Sequence, residues 1–101
     1  MITVVAKLQA AEGKADELKA VLTEMVGNVA ANEKPAVGLY SLHTSDTDPN
    51  LFLFYEQYAS AEALDAHGKT AHMAAMGGKL GAGKLLAGRP VIERYTQIAG
   101  V

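Results

Sequence analysis

The sequence of 101 residues contains no cysteine and no tryptophan. The absence of cysteine excludes disulfides, thiolate catalysis, cysteine-ligated zinc and iron–sulfur clusters. It also favours a reducing compartment, because small secreted domains commonly depend on disulfides. The first residues of the chain lack the basic start and the long apolar run of a secretory signal. We therefore expect a cytoplasmic protein.

An excess of charge is lacking as well, since the net charge is -2 and the isoelectric point is about 5.8. Nucleic-acid-binding proteins usually concentrate Lys and Arg on one face, and membrane-surface helices carry a basic polar face. No apolar run approaches the ~20 residues that a membrane span needs. We expect neither a nucleic acid nor a membrane as a partner.

Hydrophobic residues make up half of the chain, which is a large share for a monomer of this length. The length suits a single domain, residues 1–101. A domain this small buries only about two-thirds of the surface that its unfolded chain exposes, so its stability margin is thin. Oligomerisation is a common remedy, and we expect it here.

Runs of β-branched and aromatic residues bounded by turns predict four strands, over residues 2–9, 37–44, 51–58 and 90–98. Apolar residues at helical spacing predict one helix from residue 14 to about 32 and a broken second helix with segments 61–67 and 71–80. The resulting order, β-α-β-β-α-β, is the ferredoxin-like split-βαβ arrangement. It predicts an α+β fold with a four-stranded antiparallel sheet.

The predicted second helix is interrupted at Gly68. Ser60 and Thr70 are typical N-caps for its two segments, and Gly77–Gly78 should weaken the second segment before residues 81–83 end it. The same glycines are also compatible with a hinge or lid over a pocket. They match no phosphate-binding loop, and no motif supports flavin or nicotinamide binding.

The third strand has apolar and aromatic residues on both sides, with Leu51, Leu53 and Tyr55 facing one way and Phe52, Phe54 and Tyr58 the other. The second strand is predicted to place Val37 and Leu39 on one side and Tyr40 and Leu42 on the other. A sheet with one face in water should alternate instead. We therefore expect a homodimer whose sheets pack face to face as a dimeric α/β barrel. The alternative is that Leu51 and Leu53 are ordinary surface residues.

Two histidines flank the helix break, His67 before it and His72 after it, and histidine is the usual side chain for proton transfer near neutral pH. We predict both as catalytic residues. The alternative is that each is a helix-end residue bonded to a backbone carbonyl. A metal site would combine them with Glu56, but no metal-binding spacing such as HExxH is present, and we predict no metal.

A pocket for a flat, oxygenated ligand is predicted beside these histidines. Its expected binding residues are Tyr40, Phe54, Glu56, Tyr58, Met73 and Met76. Glu56 and Tyr58 leave the third strand on the side of Phe54, and the two methionines point inward from the second helical segment. The tyrosines are equally compatible with the core, and Glu56 with an anchor for a backbone donor near the helix break.

The segment from Glu56 through Tyr58 and Ser60 to His67, followed by Thr70-Ala71-His72-Met73, resembles the signature of the antibiotic biosynthesis monooxygenase family. That signature is a Glu-x-aromatic unit, a capped helix reaching His, a short gap and a second His. The stretch from Glu33 to Tyr40 is similar to another region of the family, and the resemblance covers nearly the whole chain.

The resemblance implies a dimeric α/β barrel with a pocket between sheet and helices in each subunit. Family members oxidise quinols or aromatic polyphenols with molecular oxygen and without a metal, flavin or haem cofactor. His67 or His72 would then be the base or proton relay, and Tyr40 and Tyr58 would orient the ring. Related proteins isomerise small phosphorylated molecules.

Haem degradation by other relatives is disfavoured here. The aromatic residue after Glu56 is often Trp in the family and is Tyr58 in this chain. The first strand also lacks the Asn that haem-degrading members carry. We therefore predict a monooxygenase of quinols or polyphenols. The alternatives are an isomerase of a small keto or phosphorylated compound, which Lys69, Lys79 or Arg89 near the pocket would favour, and a non-catalytic binding dimer.

Overall fold

A computed structural model describes all 101 residues. Its elements are β1 (Ile2–Gln9), α1 (Ala15–Asn32), β2 (Val37–Thr44), β3 (Leu51–Tyr58), α2 (Ala61–Gly68), α3 (Ala71–Ala82) and β4 (Val91–Thr96). The predicted α+β, ferredoxin-like fold is confirmed, and the first three strands have the predicted bounds. No helix has the length and apolar character needed to cross a membrane.

The four strands form one antiparallel sheet in the order β2-β3-β1-β4. All helices pack on one face, where alternate residues of β3 are buried, among them Phe52, Phe54 and Tyr58. They meet a stripe of α1 formed by Leu18, Leu22, Met25 and Val29. The hydrophobic core lies on this helix-side face, and so does a cavity between the sheet and helices α2 and α3.

A β-bulge in β2 changes the predicted arrangement of that strand. Val37 pairs with Tyr58 and Leu39 pairs with Gln57, so Gly38 is the additional residue between them. Val37 is therefore buried beside Tyr58 on the helix side, while Leu39 faces the open side and is 40% exposed. The prediction that these two residues share a side is wrong, because the bulge shifts the alternation by one residue.

Residues 81–83 end α3 as predicted, although the helix extends two residues beyond the predicted end at about residue 80. The helix continues through Gly77 and Gly78 to Ala82. The Leu85 amide then donates to the carbonyl of Leu80 over 3.1 Å and the Lys84 amide to that of Gly81 over 3.2 Å. This is a Schellman ending, with Lys84 rather than a glycine at the left-handed position, φ 50°. The last strand starts at Val91 and ends at Thr96, shorter than the predicted 90–98.

Replacement of Lys84 by glycine should stabilise the fold. A left-handed conformation costs an L-residue about 1–2 kcal/mol, and glycine avoids most of this cost. Glycine also has more conformational entropy in the unfolded chain, which offsets part of this benefit. We therefore expect a net increase of about 0.5–1 kcal/mol in the free energy of unfolding, measured by urea denaturation at fixed protein concentration. Lys84→Ala is the matched control, since it removes the same side chain but keeps Cβ. An equal gain in both variants would contradict the interpretation.

Candidate functional site

Two N-caps position the histidines at the break between α2 and α3. The Ser60 hydroxyl accepts from the Ala63 amide at 3.2 Å, and the Thr70 hydroxyl accepts from the Met73 amide at 3.2 Å, as predicted. Thr70 also donates to the carbonyl of His67 at 2.9 Å, which ties the end of α2 to the start of α3. His67 lies in the last turn of α2 and is 5% exposed.

One carboxylate holds both histidines. Glu33 follows directly after α1, and its Oε1 lies 2.8 Å from His67 Nδ1 while its Oε2 lies 2.5 Å from His72 Nε2. The Glu33 side chain is only 9% exposed. Neither histidine ring bonds to a backbone carbonyl, so the helix-end alternative does not describe them. Glu33 was not among the predicted site residues, although the resemblance to the family includes it.

The bond to Glu33 assigns the tautomer of His67. A carboxylate can only accept, so Nδ1 carries a proton, and in the neutral ring Nε2 has the lone pair. Every fully buried polar side-chain atom of the chain has a hydrogen-bond partner. His67 Nε2 has none, so it is not fully buried. This nitrogen is therefore accessible. It is the atom on which His67 can take up a proton.

Glu56 and Tyr58 form a second buried pair. The Tyr58 hydroxyl donates to Glu56 Oε1, so the partner of this carboxylate is a side chain rather than the backbone donor considered above. Burial raises the pKa of Glu56 above its usual range, and the Tyr58 hydrogen bond and the positive charge of His67 in its protonated form act in the opposite direction. Glu56 Oε2 makes no bond and is accessible by the same reasoning as His67 Nε2.

The two tyrosines contact the His67 ring. The centroid of the ring lies 5.3 Å from that of Tyr40 and 5.4 Å from that of Tyr58, and Tyr40 also packs on Phe54 at 4.8 Å. Burial first, and then the charges of Glu56 and Glu33, raise the pKa of both phenols. Both tyrosines therefore stay protonated near neutral pH. The Tyr40 hydroxyl, which has no protein partner, is available as a hydrogen-bond donor.

A cavity of about 290 Å³ lies between the sheet and helices α2 and α3. Tyr40, Glu56 and His67 form its polar wall, and the rest of the wall is apolar or glycine. The predicted residues Phe54, Met73 and Met76 line it too. Tyr58 and His72 do not line it, and they bond Glu56 and Glu33 instead. The structure thus brings six of the eight predicted side chains to one cavity wall.

A larger and more open cleft of about 500 Å³ lies between α1 and β2. It contains His43, which is hydrogen-bonded to the Ser41 hydroxyl at 2.9 Å, but neither Glu56 nor His67. We place the candidate site in the smaller cavity, because Tyr40, Glu56 and His67 line it together and the larger cleft has only Tyr40 of the three. No group of three or more His, Cys, Asp or Glu side chains is arranged to hold a metal ion.

The raised pKa of Glu56 makes a prediction about stability against pH. When a group has a higher pKa in the folded state, the protein loses stability as the pH rises from the pKa of that group in the unfolded chain, here 4.5, through its pKa in the folded state. Glu56→Gln removes this loss and keeps an acceptor for Tyr58. Its free energy of unfolding relative to wild type should therefore be higher near pH 8 than near pH 4, by about 1.4 kcal/mol for each unit of the shift. A difference that is independent of pH would contradict the burial argument.

The sequence and the fold of the chain are similar to those of known proteins. The sequence profile described as antibiotic biosynthesis monooxygenase matches residues 1–78. A candidate antibiotic biosynthesis monooxygenase of Caulobacter crescentus CB15 is 37% identical, with a TM-score of 0.88 over 97% of this chain and 90% of that one. The protein PA3566 of Pseudomonas aeruginosa is 28% identical, with a TM-score of 0.86 over 97% and 94% of the two chains.

A candidate antibiotic biosynthesis monooxygenase of Deinococcus radiodurans shares the fold at 17% identity, with a TM-score of 0.86 over all of this chain and 96% of that one. No curated protein matches the sequence. The profile covers more than half of the chain, and it includes Glu33, Glu56 and both histidines of the helix break. The chain therefore belongs to the antibiotic biosynthesis monooxygenase family.

Proposed function

We propose that this chain is a cytoplasmic, cofactor-independent monooxygenase that oxidises a quinol or polyphenolic small molecule with molecular oxygen. The observation that carries the proposal is that three polar side chains, those of Tyr40, Glu56 and His67, line one otherwise apolar cavity and that each has a polar atom without a protein partner. An apolar pocket with a few convergent polar groups suits an aromatic ring that carries hydroxyls.

In this proposal His67 is the base. Its Nε2 takes the proton of a substrate hydroxyl, and the Glu33 carboxylate on Nδ1 stabilises the imidazolium that forms. The Tyr40 hydroxyl donates to the phenolate oxygen, and Phe54, Met73 and Met76 pack against the ring. Deprotonation makes the ring electron-rich enough to reduce oxygen directly.

The electrons for this reaction come from the substrate. One oxygen atom enters the ring and the other leaves as water, while the quinol gives up four electrons and becomes a hydroxylated quinone. No external reductant or cofactor is then required, and the protein binds the ring, orients it and removes its proton. Tyr58 and His72 act from behind the wall, by holding Glu56 and Glu33 in place.

The direct test is oxygen uptake with a panel of hydroquinones and naphthol-type phenols. The wild type should exceed autoxidation, and His67→Ala should lower the rate by about 10²–10⁴-fold, the usual contribution of a positioned base. His43→Ala is the matched control, because His43 is a histidine outside the cavity. His72→Ala should lose less than His67→Ala, since His72 touches only Glu33. Uptake that never exceeds autoxidation would sink the proposal.

We also propose that the chain forms a homodimer through the open face of its sheet. Leu51, Leu53 and Tyr55 project from this face and are only partly buried within one chain, and Val91 and Tyr95 of the edge strand are about half exposed. No helix or strand covers them, and the C-terminal residues Gln97, Ala99 and Gly100 only border Tyr55 and Tyr95. A second copy packed face to face would bury this apolar surface and form the barrel.

Sedimentation velocity at micromolar concentration tests the dimer. We expect a species of twice the 10.6 kDa chain. Leu53→Glu places a charge at the centre of the open face and should give a monomer, because an unpaired charge is costly to bury. Ala20→Glu, on the exposed side of α1, is the matched control and should remain dimeric. A monomeric wild type would rule out the barrel.

A further inference from the structure

The charged groups at the cavity are acidic. Glu56 is the one carboxylate in its wall, and Glu33 stands directly behind His67. No Lys or Arg lines the cavity. A ligand that enters therefore meets negative charge at the polar end and apolar side chains elsewhere.

The basic residues around the cavity are engaged elsewhere or lie outside it. Lys69 pairs with Asp65 at 2.9 Å and Lys79 with Glu24 at 2.5 Å, all on exposed surface. Arg94 lies across Val4 from Glu56 in the sheet, but it is exposed on the edge strand and does not line the cavity. Arg89 is exposed as well. An anionic ligand would thus find no Lys or Arg in the wall, and a protonated His67 is already paired with Glu33.

A negative charge on the ligand therefore makes its binding free energy less favourable in this site. A carboxylate or phosphate would lose its hydration on entering and would lie near the Glu33 carboxylate and, when that group is ionised, the Glu56 carboxylate. The site already penalises its own acid, since burial raises the pKa of Glu56. A hydroxyl has no such penalty, because it can donate to Glu56 Oε2 or His67 Nε2 and accept from Tyr40 Oη.

We propose that the cavity selects uncharged hydroxylated aromatic molecules over anionic molecules with the same ring system, and that Glu56 is the residue that sets this preference. The inference rests on the proposed function for the aromatic class of the ligand and adds its charge. It also explains why the site needs a base. A substrate that enters uncharged still carries its phenolic proton, and His67, the proposed base, lines the cavity where that proton must be removed.

Equilibrium binding without oxygen tests the preference independently of catalysis. The probes are 2-naphthol, 2-naphthoate and 2-naphthyl phosphate near neutral pH, where only the first is uncharged. Their naphthalene fluorescence can be followed directly because the chain contains no tryptophan. We expect 2-naphthol to bind at least about tenfold more tightly than either anion. Equal or tighter binding of an anion would overturn the proposal, and so would the absence of binding by all three probes.

Two variants test the role of Glu56. In Glu56→Gln the ratio between the dissociation constants of naphthoate and naphthol should fall at least about threefold, because one of the two like charges is gone. Glu12→Gln makes the same change of net charge on an exposed turn and should leave the ratio as in the wild type. The same ratio in both variants would overturn the assignment to Glu56.

The outcomes separate this inference from the proposed function. Selective binding of 2-naphthol without oxygen uptake with any phenol would support the charge preference and contradict the proposed monooxygenase activity. Oxygen uptake together with equally tight binding of naphthoate would do the reverse.

Discussion

The candidate site depends on one buried carboxylate. Glu33 stands at the end of α1 and bonds side chains 34 and 39 residues further along the chain, so it joins three helices at a single point. Both of its oxygens are occupied. If one histidine is removed, a buried acceptor is left without its partner, which costs more than a typical hydrogen bond contributes. The break between α2 and α3 is thus held in one geometry, which fixes the direction of the His67 ring.

The register of the sheet gives the cavity its polar and apolar ends. One row across the helix-side face contains Tyr40, Glu56 and Val4, and the next row contains Leu42, Phe54 and Ala6. The ionisable groups of the sheet therefore lie beside His67, while the rows beyond are hydrophobic. A slip by one residue in β3 would turn Glu56 to the open face and destroy this arrangement.

The sequence was sufficient for most of the fold, because the strands 2–9, 37–44 and 51–58 are dense in β-branched and aromatic residues and end at clear turns. The caps at Ser60 and Thr70 were also predictable, since they act on amides three residues away. The left-handed conformation of Lys84 was not predictable, because glycine normally occupies that position and two glycines, Gly81 and Gly83, lie nearby in the sequence. Glu33 has the opposite difficulty. Its role depends on contacts between distant segments, which no local pattern encodes.

The bulge at Gly38 separates two tasks within one strand. In a regular strand Val37 and Tyr40, three positions apart, would face opposite sides of the sheet. The additional residue lets both face the helices, Val37 over the core at Tyr58 and Tyr40 over the cavity. Because the alternation is reset between them, Val37 before the bulge packs in the core and Tyr40 after it lines the cavity. In evolutionary terms, a substitution of Tyr40 can change the cavity for a new ligand while Val37 keeps its place in the core.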